Sequence, residues 1–342
     1  MITLLAFNFF IAIVVGLVFY LYSKEITFFE FCLSPVVALI TSVVCYSVFS
    51  MIVCGDTQTI SGTVISAIYQ PKWVEEETTQ KEGKTVVSHT THYPKWTMLC
   101  NTGKNTEEVE IDSDEYNYLY RLFGKKISVS GSRSGFDYGD RNDYVLKNVN
   151  HYNQPCVLSK KYINRLKNSN SLFAYSKKKE TISYPYPTDK FVSNRLLGIA
   201  RQQFNQLDFD RMNSRLGPNK KVNVIIVGSN NNVGQQIEMQ WQGGKKNDLI
   251  ICYGKGWSYC FGWTDSNLVK RNLETLFLST VNNTLLPKIE AEIKRNYSLK
   301  NWKSFNYVSI NFPLWTYFLC FVLMVLSQVG YFMYTLKNEY SK

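Results

Sequence analysis

Three long uncharged segments interrupt an otherwise polar chain. No charged side chain occurs in residues 1–23, 31–55 or 304–336. Each gap is longer than the ~20 residues that a helix needs to cross the ~30 Å hydrocarbon core of a bilayer. Because lipid offers the backbone no hydrogen-bonding partner, each segment is expected to be a helix. The pattern therefore predicts three transmembrane helices, at 2–22, about 29–53 and about 312–336.

Charges beside these segments predict their orientation. The loop after the first span carries Lys24 and the tail carries Lys337 and Lys342, whereas the amino-terminal end has no basic side chain. The positive-inside rule therefore predicts a multi-pass protein with a cytoplasmic loop at 23–30, a cytoplasmic tail and a large exoplasmic or periplasmic region. Basic residues just before the third span argue for the opposite orientation, but long translocated domains largely escape the rule. Two uncharged polar residues inside spans, Asn8 and Gln328, could pair between helices.

A period-two alternation of apolar and polar side chains dominates residues 56–155 and is typical of half-buried strands. One segment has a helical stripe instead, with Ser113 as the predicted N-cap and Gly124 as the predicted stop. A charged hairpin tip or mobile loop is expected at 75–84. This pattern predicts a small β-rich domain, either a barrel or a curled sheet with one helix.

From residue 195 to 298 the pattern changes to apolar strands that alternate with amphipathic helices. Continuous apolar runs at 222–227 and 249–253 are typical of strands covered on both faces. Strand–helix–strand units imply a right-handed crossover and at least one parallel pair. The preceding stretch, 156–194, contains three consecutive lysines and a Tyr-Pro-Tyr-Pro run, which is the composition of a linker.

This order of elements resembles the TPM domain family, which comprises membrane-tethered domains of bacterial envelopes and thylakoid lumens. The likeness rests on residues 224–228, on 241–248 followed by 249–253, and on the span at 314–334. The Trp-Gln-Gly-Gly-Lys-Lys-Asn-Asp run is also similar to uncharacterised membrane proteins of tailed phages or their bacterial hosts. In those proteins a β-rich unit with a His-Tyr-Pro-x-Trp element, here residues 92–96, comes first.

The TPM resemblance implies a periplasmic or exoplasmic α/β sandwich with a role in membrane-complex assembly and, in some members, phosphatase activity. The neutral or acidic loop of that family is replaced here by Lys245 and Lys246, which weakens the case for an acid-lined metal site.

The expected fold is an α+β multi-domain membrane protein. Its predicted parts are a transmembrane helical hairpin (1–55), a small β-rich domain (56–155), a linker (156–194), a TPM-like α/β sandwich domain (195–298), and a juxtamembrane segment with the third transmembrane helix (299–342).

The formal net charge of +11 lies entirely between residues 55 and 311, because the charges outside that region balance. Such a surface attracts anionic headgroups, polyanionic polymers or nucleic acid. Ordinary solubility of a lysine-rich domain is the alternative explanation.

Four cysteines of this region, Cys100, Cys156, Cys252 and Cys260, leave three possible pairings. Cys252 and Cys260 would lie diagonally on one sheet face if the turn between them is symmetric, which favours free thiols.

The most distinctive short run consists of Gly243, Gly244, Lys245, Lys246, Asn247 and Asp248. Two glycines permit positive φ and close backbone approach, and two lysines add positive charge. The run is therefore predicted to be a partner-binding or anion-binding loop. The alternative is a helix stop followed by a solvated turn.

Three carboxylates form the candidate metal site. Asp208, Asp210 and Asp265 lie near predicted helix ends, where one sheet edge could bring them together around a divalent cation, as a metal-assisted hydrolase requires. Asp265 is equally explained as an N-cap. His89 and His92 lie three positions apart in strand-like sequence, so their side chains are expected on opposite faces and no shared metal site is predicted.

These patterns favour a non-catalytic function. The chain is expected to be a membrane-anchored binding or assembly factor whose basic exoplasmic α/β domain engages an envelope protein or an anionic surface. The alternatives are a TPM-type metal-assisted phosphatase and an electrostatic binder of membrane surfaces or polyanions, with nucleic acid as the least favoured partner. The bilayer is itself a partner, and no cofactor is expected apart from a divalent cation in the phosphatase case. The partner's identity and the oligomeric state stay open.

Overall fold

The computed structural model describes residues 2–22, 26–81, 84–103, 105–168, 184–187 and 194–339 of the 342-residue chain. The chain divides into two compact units, each considered separately below. The first comprises Met1–Asp56, Lys161–Ala174 and Trp302–Lys342, and the second comprises Thr57–Lys160 and Tyr175–Asn301.

The protein is a mixed α+β chain with nine α-helices and thirteen strands within the described ranges. The helices are α1 (Ile2–Tyr22), α2 (Phe28–Cys54), α3 (Ser113–Phe123), α4 (Ala200–Gln203), α5 (Gln206–Lys220), α6 (Gly234–Gln240), α7 (Asn267–Phe277), α8 (Leu286–Asn296) and α9 (Leu314–Glu339). The strands are β1 (Gly55–Gln70), β2 (Trp73–Lys81), β3 (Lys84–His92), β4 (Lys95–Asn101), β5 (Thr106–Ile111), β6 (Gly124–Ser130), β7 (Phe136–Gly139), β8 (Asn142–Asn148), β9 (Pro155–Ile163), β10 (Leu196–Gly198), β11 (Asn223–Gly228), β12 (Asp248–Gly254) and β13 (Trp257–Gly262).

The first unit contains the long apolar helices. Two segments, Phe28–Cys54 and Leu314–Lys337, are long and apolar enough to cross a membrane. Helix α2 begins at a capping box in which Thr27 accepts a hydrogen bond from the Glu30 amide and the Glu30 side chain accepts one from the Thr27 amide. Helix α1 contributes a shorter apolar stretch, Asn8–Tyr22. Length and composition therefore support two of the three predicted spans.

Buried polar side chains meet where α1, α2 and α9 pack against one another. Asn8 donates to Ser42 Oγ at 2.9 Å and to Cys320 Sγ at 3.4 Å. Ser34 donates to Gln328 Oε1 at 2.7 Å, and Gln328 Nε2 donates to the Ser34 carbonyl at 3.2 Å. Asn8 and Gln328 are therefore paired between helices, as expected.

We expect the Gln328→Leu substitution to weaken the packing of these helices by about 1 kcal/mol, because it removes two interhelical hydrogen bonds from an apolar setting. Denaturation of the full-length protein in detergent, followed by circular dichroism, measures the change. Ser47→Ala is the matched control, since the Ser47 hydroxyl donates at 2.8 Å to Val43 of its own helix. Equal stability of the Gln328→Leu and Ser47→Ala proteins would contradict this role for Gln328.

The second unit contains a six-stranded sheet with the order β5-β4-β1-β8-β6, to which β9 adds by pairing with β1. Strand β1 is central and pairs antiparallel with both β4 and β8. Helix α3 covers the sheet with Tyr116, Leu119 and Phe123. The helix is capped by Asp112, whose carboxylate accepts from the Glu115 amide at 2.8 Å, one residue before the predicted cap. Gly124 ends it with a φ of 73°, as predicted.

A three-stranded sheet with the order β3-β2-β7 belongs to the same unit. Strands β2 and β3 form a long antiparallel hairpin in which Glu77 pairs with Ser88 and Thr78 pairs with Val87. Of the two alternatives predicted for 75–84, a charged hairpin tip or a mobile loop, the hairpin is confirmed: residues 75–81 belong to β2 and Lys84 begins β3, whereas residues 82–83 lie outside the described part of the chain. The charged composition is compatible with strands here because β2 and β3 are exposed over most of their length and can carry polar side chains on both faces.

The α/β part has a four-stranded sheet with the order β10-β11-β12-β13. Strands β10, β11 and β12 are parallel, and β12 and β13 form an antiparallel hairpin. This arrangement confirms the predicted parallel pairing. Residues of β11 alternate between two apolar clusters, one shared with α5, α7 and α8 and the other with α6. Because both faces are covered, the strand sequence is continuously apolar.

Strand β9 occupies the start of the stretch that was predicted to be a linker, and a 3-10 turn at Arg165–Asn168 follows it. Cys156 and Leu158 of β9 are buried, whereas Lys160 and Lys161 are exposed. One face of β9 is buried, but the lysines at its exposed positions made its sequence look like a linker. The rest of the predicted linker falls outside the described residues, apart from 184–187 and Asn194.

The cysteines of the second unit are free thiols. Cys252 pairs with Tyr259 across the hairpin and Ile251 pairs with Cys260, so the two cysteine side chains face opposite sides of the sheet. The expectation that they share a face is wrong, because Gly254 pairs with Trp257 and the turn therefore has only two residues. Cys100 and Cys156 lie in one buried cluster.

Candidate functional site

The run from Gly243 to Asp248 joins α6 to β12 through a backbone with three consecutive positive φ angles. These are 53° at Gln242, 77° at Gly243 and 82° at Gly244. A side chain at Gly244 would also come within 2.6 Å of Ile250. The expected use of the glycines, positive φ and close approach, is therefore confirmed.

The carboxylate of Asp248 closes this loop on itself. It accepts hydrogen bonds from the Lys245 amide at 2.7 Å, from Asn223 Nδ2 at 2.8 Å and from the Tyr186 hydroxyl. Burial raises the pKa of the Asp248 carboxyl, and the hydrogen bonds and the Lys245 charge only partly oppose that effect. Asp248 therefore stabilises the loop from within.

Lys245 and Asn247 bind strand β1 of the six-stranded sheet. Lys245 Nζ donates to Thr57 Oγ1 at 2.9 Å and lies 4.7 Å from the centre of the Tyr186 ring. Asn247, which is 3% exposed, donates through Nδ2 to the Thr59 carbonyl. Two of the six residues of the predicted partner-binding loop thus contact the protein's own β1. Lys246 and Asn247 of the run line a cleft.

A buried arginine makes a second connection to β1. Arg195 is 2% exposed, and its Nη1 donates to Ser61 Oγ and to Asn223 Oδ1, the latter at 2.7 Å. Its Nη2 lies 3.7 Å from the Asp210 carboxylate. A side chain at Gly217 of α5 would come within 2.1 Å of the Ser61 carbonyl. Helix α5, Arg195 and the loop before β12 thus converge on one segment of β1.

Sequence reasoning missed Arg195. The residue follows the stretch interpreted as a linker, and a lone arginine before two leucines carries no periodic signal. Its partners on β1 and on β11 are distant along the chain, so only the folded structure brings them to it.

We expect Arg195→Met to lower the free energy of unfolding by about 3 kcal/mol, because the substitution leaves the buried Asp210 carboxylate without its positive partner. Urea denaturation of the full-length protein in detergent, followed by tryptophan fluorescence, measures the effect. Arg201→Met is the control, since Arg201 is exposed and donates to the Leu196 carbonyl at 2.8 Å.

Adding Asp210→Asn to Arg195→Met should recover part of the lost stability, because it removes the uncompensated charge. An Arg195→Met protein as stable as the Arg201→Met protein would refute the proposed role of the buried arginine.

Beside these contacts the second unit has a cleft of about 380 Å³. Its walls come from the start of β1, from the β4–β5 turn and β5, from the carboxyl end of α5, and from the loop before β12. Charged residues in the wall are Lys160, Lys221, Lys246 and Glu107, with Lys160 and Glu107 joined by an ion pair of 2.9 Å. Lys221 and Lys246 are the other two basic residues of the wall.

The electrostatics of the cleft favour an anion. Burial lowers the pKa of Lys246, and the positive charge of Lys221 lowers it further. Lys221 is placed there by its left-handed backbone, with a φ of 56°, at the C-cap of α5. Lys246 is half-buried and Lys221 is exposed, and a bound anion would offset the repulsion between their charges.

A buried acceptor adds a polar feature to the same wall. Oδ1 of Asn247 receives no hydrogen bond from any donor in the described part of the chain, although Nδ2 of the same amide is bonded to β1. Buried polar atoms are rarely without a partner. Because this oxygen is buried, the groups of the wall that can bind an anion are the ammonium groups of Lys221 and Lys246.

The structure does not bring the three predicted metal-binding aspartates together. Each has a separate partner: Asp208 accepts from Asn283 at 3.0 Å, Asp210 accepts from Gln206 at 3.0 Å, and Asp265 lies 3.4 Å from Lys300 Nζ. Helix α7 is preceded by Ser266 as N-cap, so Asp265 does not cap it. Throughout the described residues these carboxylates form no metal-ligating group.

A different set of metal-ligating side chains meets on the three-stranded sheet. Glu76, His89 and Asp137 each place one ligand atom within 4.8 Å of the other two. His92 instead hydrogen-bonds to Glu75 at 2.8 Å, so the two histidines share no ligand, as expected from their spacing. The sequence could have indicated the group of Glu76, His89 and Asp137 only through the register of the β2–β3 hairpin, which places His89 opposite Glu76.

Comparison with protein-family models, curated proteins and solved structures finds no match to this chain. The resemblance to TPM domains and to phage-associated membrane proteins therefore stays a prediction. Any functional conclusion depends on the geometry described above.

Proposed function

We propose that this protein is a membrane-anchored, non-catalytic binding factor that engages an anionic group of a partner at the cleft between Lys221 and Lys246. The observation that carries this proposal is the like-charge pair itself. Both lysines line the cleft, and the charge of half-buried Lys246 is disfavoured first by burial and then by repulsion from the exposed Lys221. An anion in the cleft would be attracted by both ammonium groups and would offset this unfavourable environment.

The charge distribution of the chain supports the same function. The net charge of +11 belongs to the region between the apolar helices. A positive surface of this kind raises the rate at which negatively charged partners arrive, and the effect weakens as salt is added. An envelope protein with an acidic segment and an anionic membrane surface both fit this chemistry.

The membrane anchor is the second part of the proposal. We infer three membrane spans, α1, α2 and α9, a multi-pass topology and an exoplasmic or periplasmic location for the large region. Two of these helices pass the length and hydropathy criteria, and α1 packs against both through polar contacts. The TPM-like character of the α/β part is also a proposal, supported by its three parallel strands, its antiparallel hairpin and its helices on both faces.

A TPM-type phosphatase receives no support from the described residues. The aspartates that would bind a catalytic cation are each paired with an amide or a basic side chain. The Asp248 carboxylate, which lies at the loop that is acidic or neutral in that family, is fully engaged within the protein. A binding function requires no such catalytic cluster.

The topology has a direct test. If the large region is exoplasmic, protease added to intact cells should cleave between residues 57 and 301, whereas inverted vesicles should protect the same region. Immunoblotting with an antibody against the α/β part detects the fragments. Protection in intact cells with cleavage in inverted vesicles would place the region in the cytoplasm and remove envelope proteins from the possible partners.

The double variant Lys221→Gln/Lys246→Gln should bind an acidic peptide, polyglutamate, about tenfold or more weakly than the wild type, since each lysine near an anionic surface contributes about 1 kcal/mol. Fluorescence anisotropy of the labelled peptide with the full-length protein in detergent measures the affinity. Anionic lipid vesicles serve as the second probe. The wild-type affinity should fall as pH rises, beginning below the ordinary lysine range, because the pKa of Lys246 is lowered.

The matched control is Lys125→Gln/Lys255→Gln, which removes the same charge from two exposed positions of the second unit away from the cleft. If both double variants lose affinity equally, binding depends on net charge alone and the cleft has no special role. Tighter binding to vesicles than to the peptide would identify a membrane surface as the partner.

A further inference from the structure

The three-stranded sheet places three potential metal ligands side by side on neighbouring strands. Glu76 lies on β2, the central strand, and His89 lies directly opposite it on β3. Asp137 lies on β7, on the other side of β2, where the pairing register shifts by one residue. A carboxylate, an imidazole and a second carboxylate therefore come from three different strands of one sheet.

The backbone fixes the position of this group. The Glu76 amide donates to the Gly135 carbonyl at 2.7 Å, which ties the entry of β7 to β2. Gly135 itself has a φ of 59°, and a side chain there would come within 2.7 Å of the Glu76 carbonyl. A position that only glycine fills without strain thus sets the distance between Asp137 and the other two ligands.

The distances between the ligand atoms suit coordination of a small cation better than direct hydrogen bonds between the side chains. His89 Nδ1 lies 3.3 Å from Asp137 Oδ2, which is longer than the usual 2.7–3.2 Å of a hydrogen bond. Two ligands of a tetrahedral zinc ion with bonds of about 2.0–2.1 Å are separated by about 3.3–3.4 Å. The third ligand atom, a carboxylate oxygen of Glu76, lies within 4.8 Å of both.

We propose that Glu76, His89 and Asp137 bind one divalent transition-metal ion of the Zn²⁺ class on the exposed face of the β3-β2-β7 sheet. One imidazole nitrogen and two carboxylate oxygens are ligands that zinc accepts in proteins. Three protein ligands leave at least one coordination position to solvent or to a group from a partner. The ion would cross-link three strands that otherwise have little buried surface.

The same sheet contains a natural control. His92 Nε2 lies 2.8 Å from Glu75 Oε2, an ordinary hydrogen-bonding distance, and the His92 ring stacks on Trp73 with centroids 4.1 Å apart. This pair has the same residue types on the same two strands but lacks a third ligand among the described residues. Removing His92 therefore tests whether any histidine of the hairpin suffices.

The test uses the full-length protein in detergent, treated with a chelator and then titrated with Zn²⁺ in a calorimeter. We expect one equivalent to bind. His89→Gln and Asp137→Asn should each weaken binding by about 100-fold or more, because loss of an outer-shell partner alone typically costs 10–100-fold. His92→Gln should leave the affinity unchanged. Co²⁺ in place of Zn²⁺ gives visible absorption bands that report nitrogen and oxygen ligands without sulfur.

Three results would overturn the proposal. The first is the absence of saturable Zn²⁺ binding to the wild type, which would leave His89 and Asp137 as an ion pair. The second is an equal loss of affinity in His92→Gln. The third is a Co²⁺ spectrum dominated by thiolate bands, which would assign the metal to cysteine. Circular dichroism of each variant verifies that the fold is retained, and because the cleft is not involved, the outcome is independent of the proposed anion binding.

Discussion

The second unit depends on one buried polar connection between its two larger sheets. Arg195 reaches Ser61 on β1, Asn223 on β11 and the carboxylate of Asp210 on α5. Asn223 in turn donates to Asp248, which closes the loop before β12. Burying a charge without a partner is costly, so this network favours one arrangement of the two sheets over others. The cleft exists because that arrangement places the end of α5 beside the start of β1.

The same network explains why the distinctive Gly-Gly-Lys-Lys-Asn-Asp run has two roles. Asp248, Asn247 and Lys245 turn inward or towards β1 and serve the fold. Lys246, the remaining charged residue, lines the cleft with Lys221. A run that looks like a binding motif in the sequence therefore serves the fold through Lys245, Asn247 and Asp248. It also contributes Lys246 and Asn247 to the wall of the cleft, which Lys221 at the end of α5 lines as well.

Local signals in the sequence were sufficient for much of the fold. The helix stop at Gly124, the continuous apolar strand β11 and the parallel pairing of β11 with β12 followed from periodicity and turn chemistry. Features that depend on a distant partner were missed. Strand β9 has lysines on its exposed positions and resembled a linker. The contacts of Arg195 and the group of Glu76, His89 and Asp137 depend on the register between strands. The three aspartates were grouped by their place near helix ends, which does not determine where carboxylates point.

Close backbone approaches at the joint have a consequence for natural variation. A Cβ at Gly217 would lie 2.1 Å from the Ser61 carbonyl, and one at Gly62 would lie 2.3 Å from the Asn101 carbonyl. The Ser61 carbonyl belongs to β1 and the Asn101 carbonyl to β4, which pairs with β1, so neither can move without disturbing this sheet and both glycines should tolerate almost no replacement. The lysines of the cleft face no such steric limit. In diverged copies of this chain, invariant positions would therefore first identify residues required by the fold. Under the proposed binding function, substitutions at Lys221 and Lys246 would indicate a change of partner.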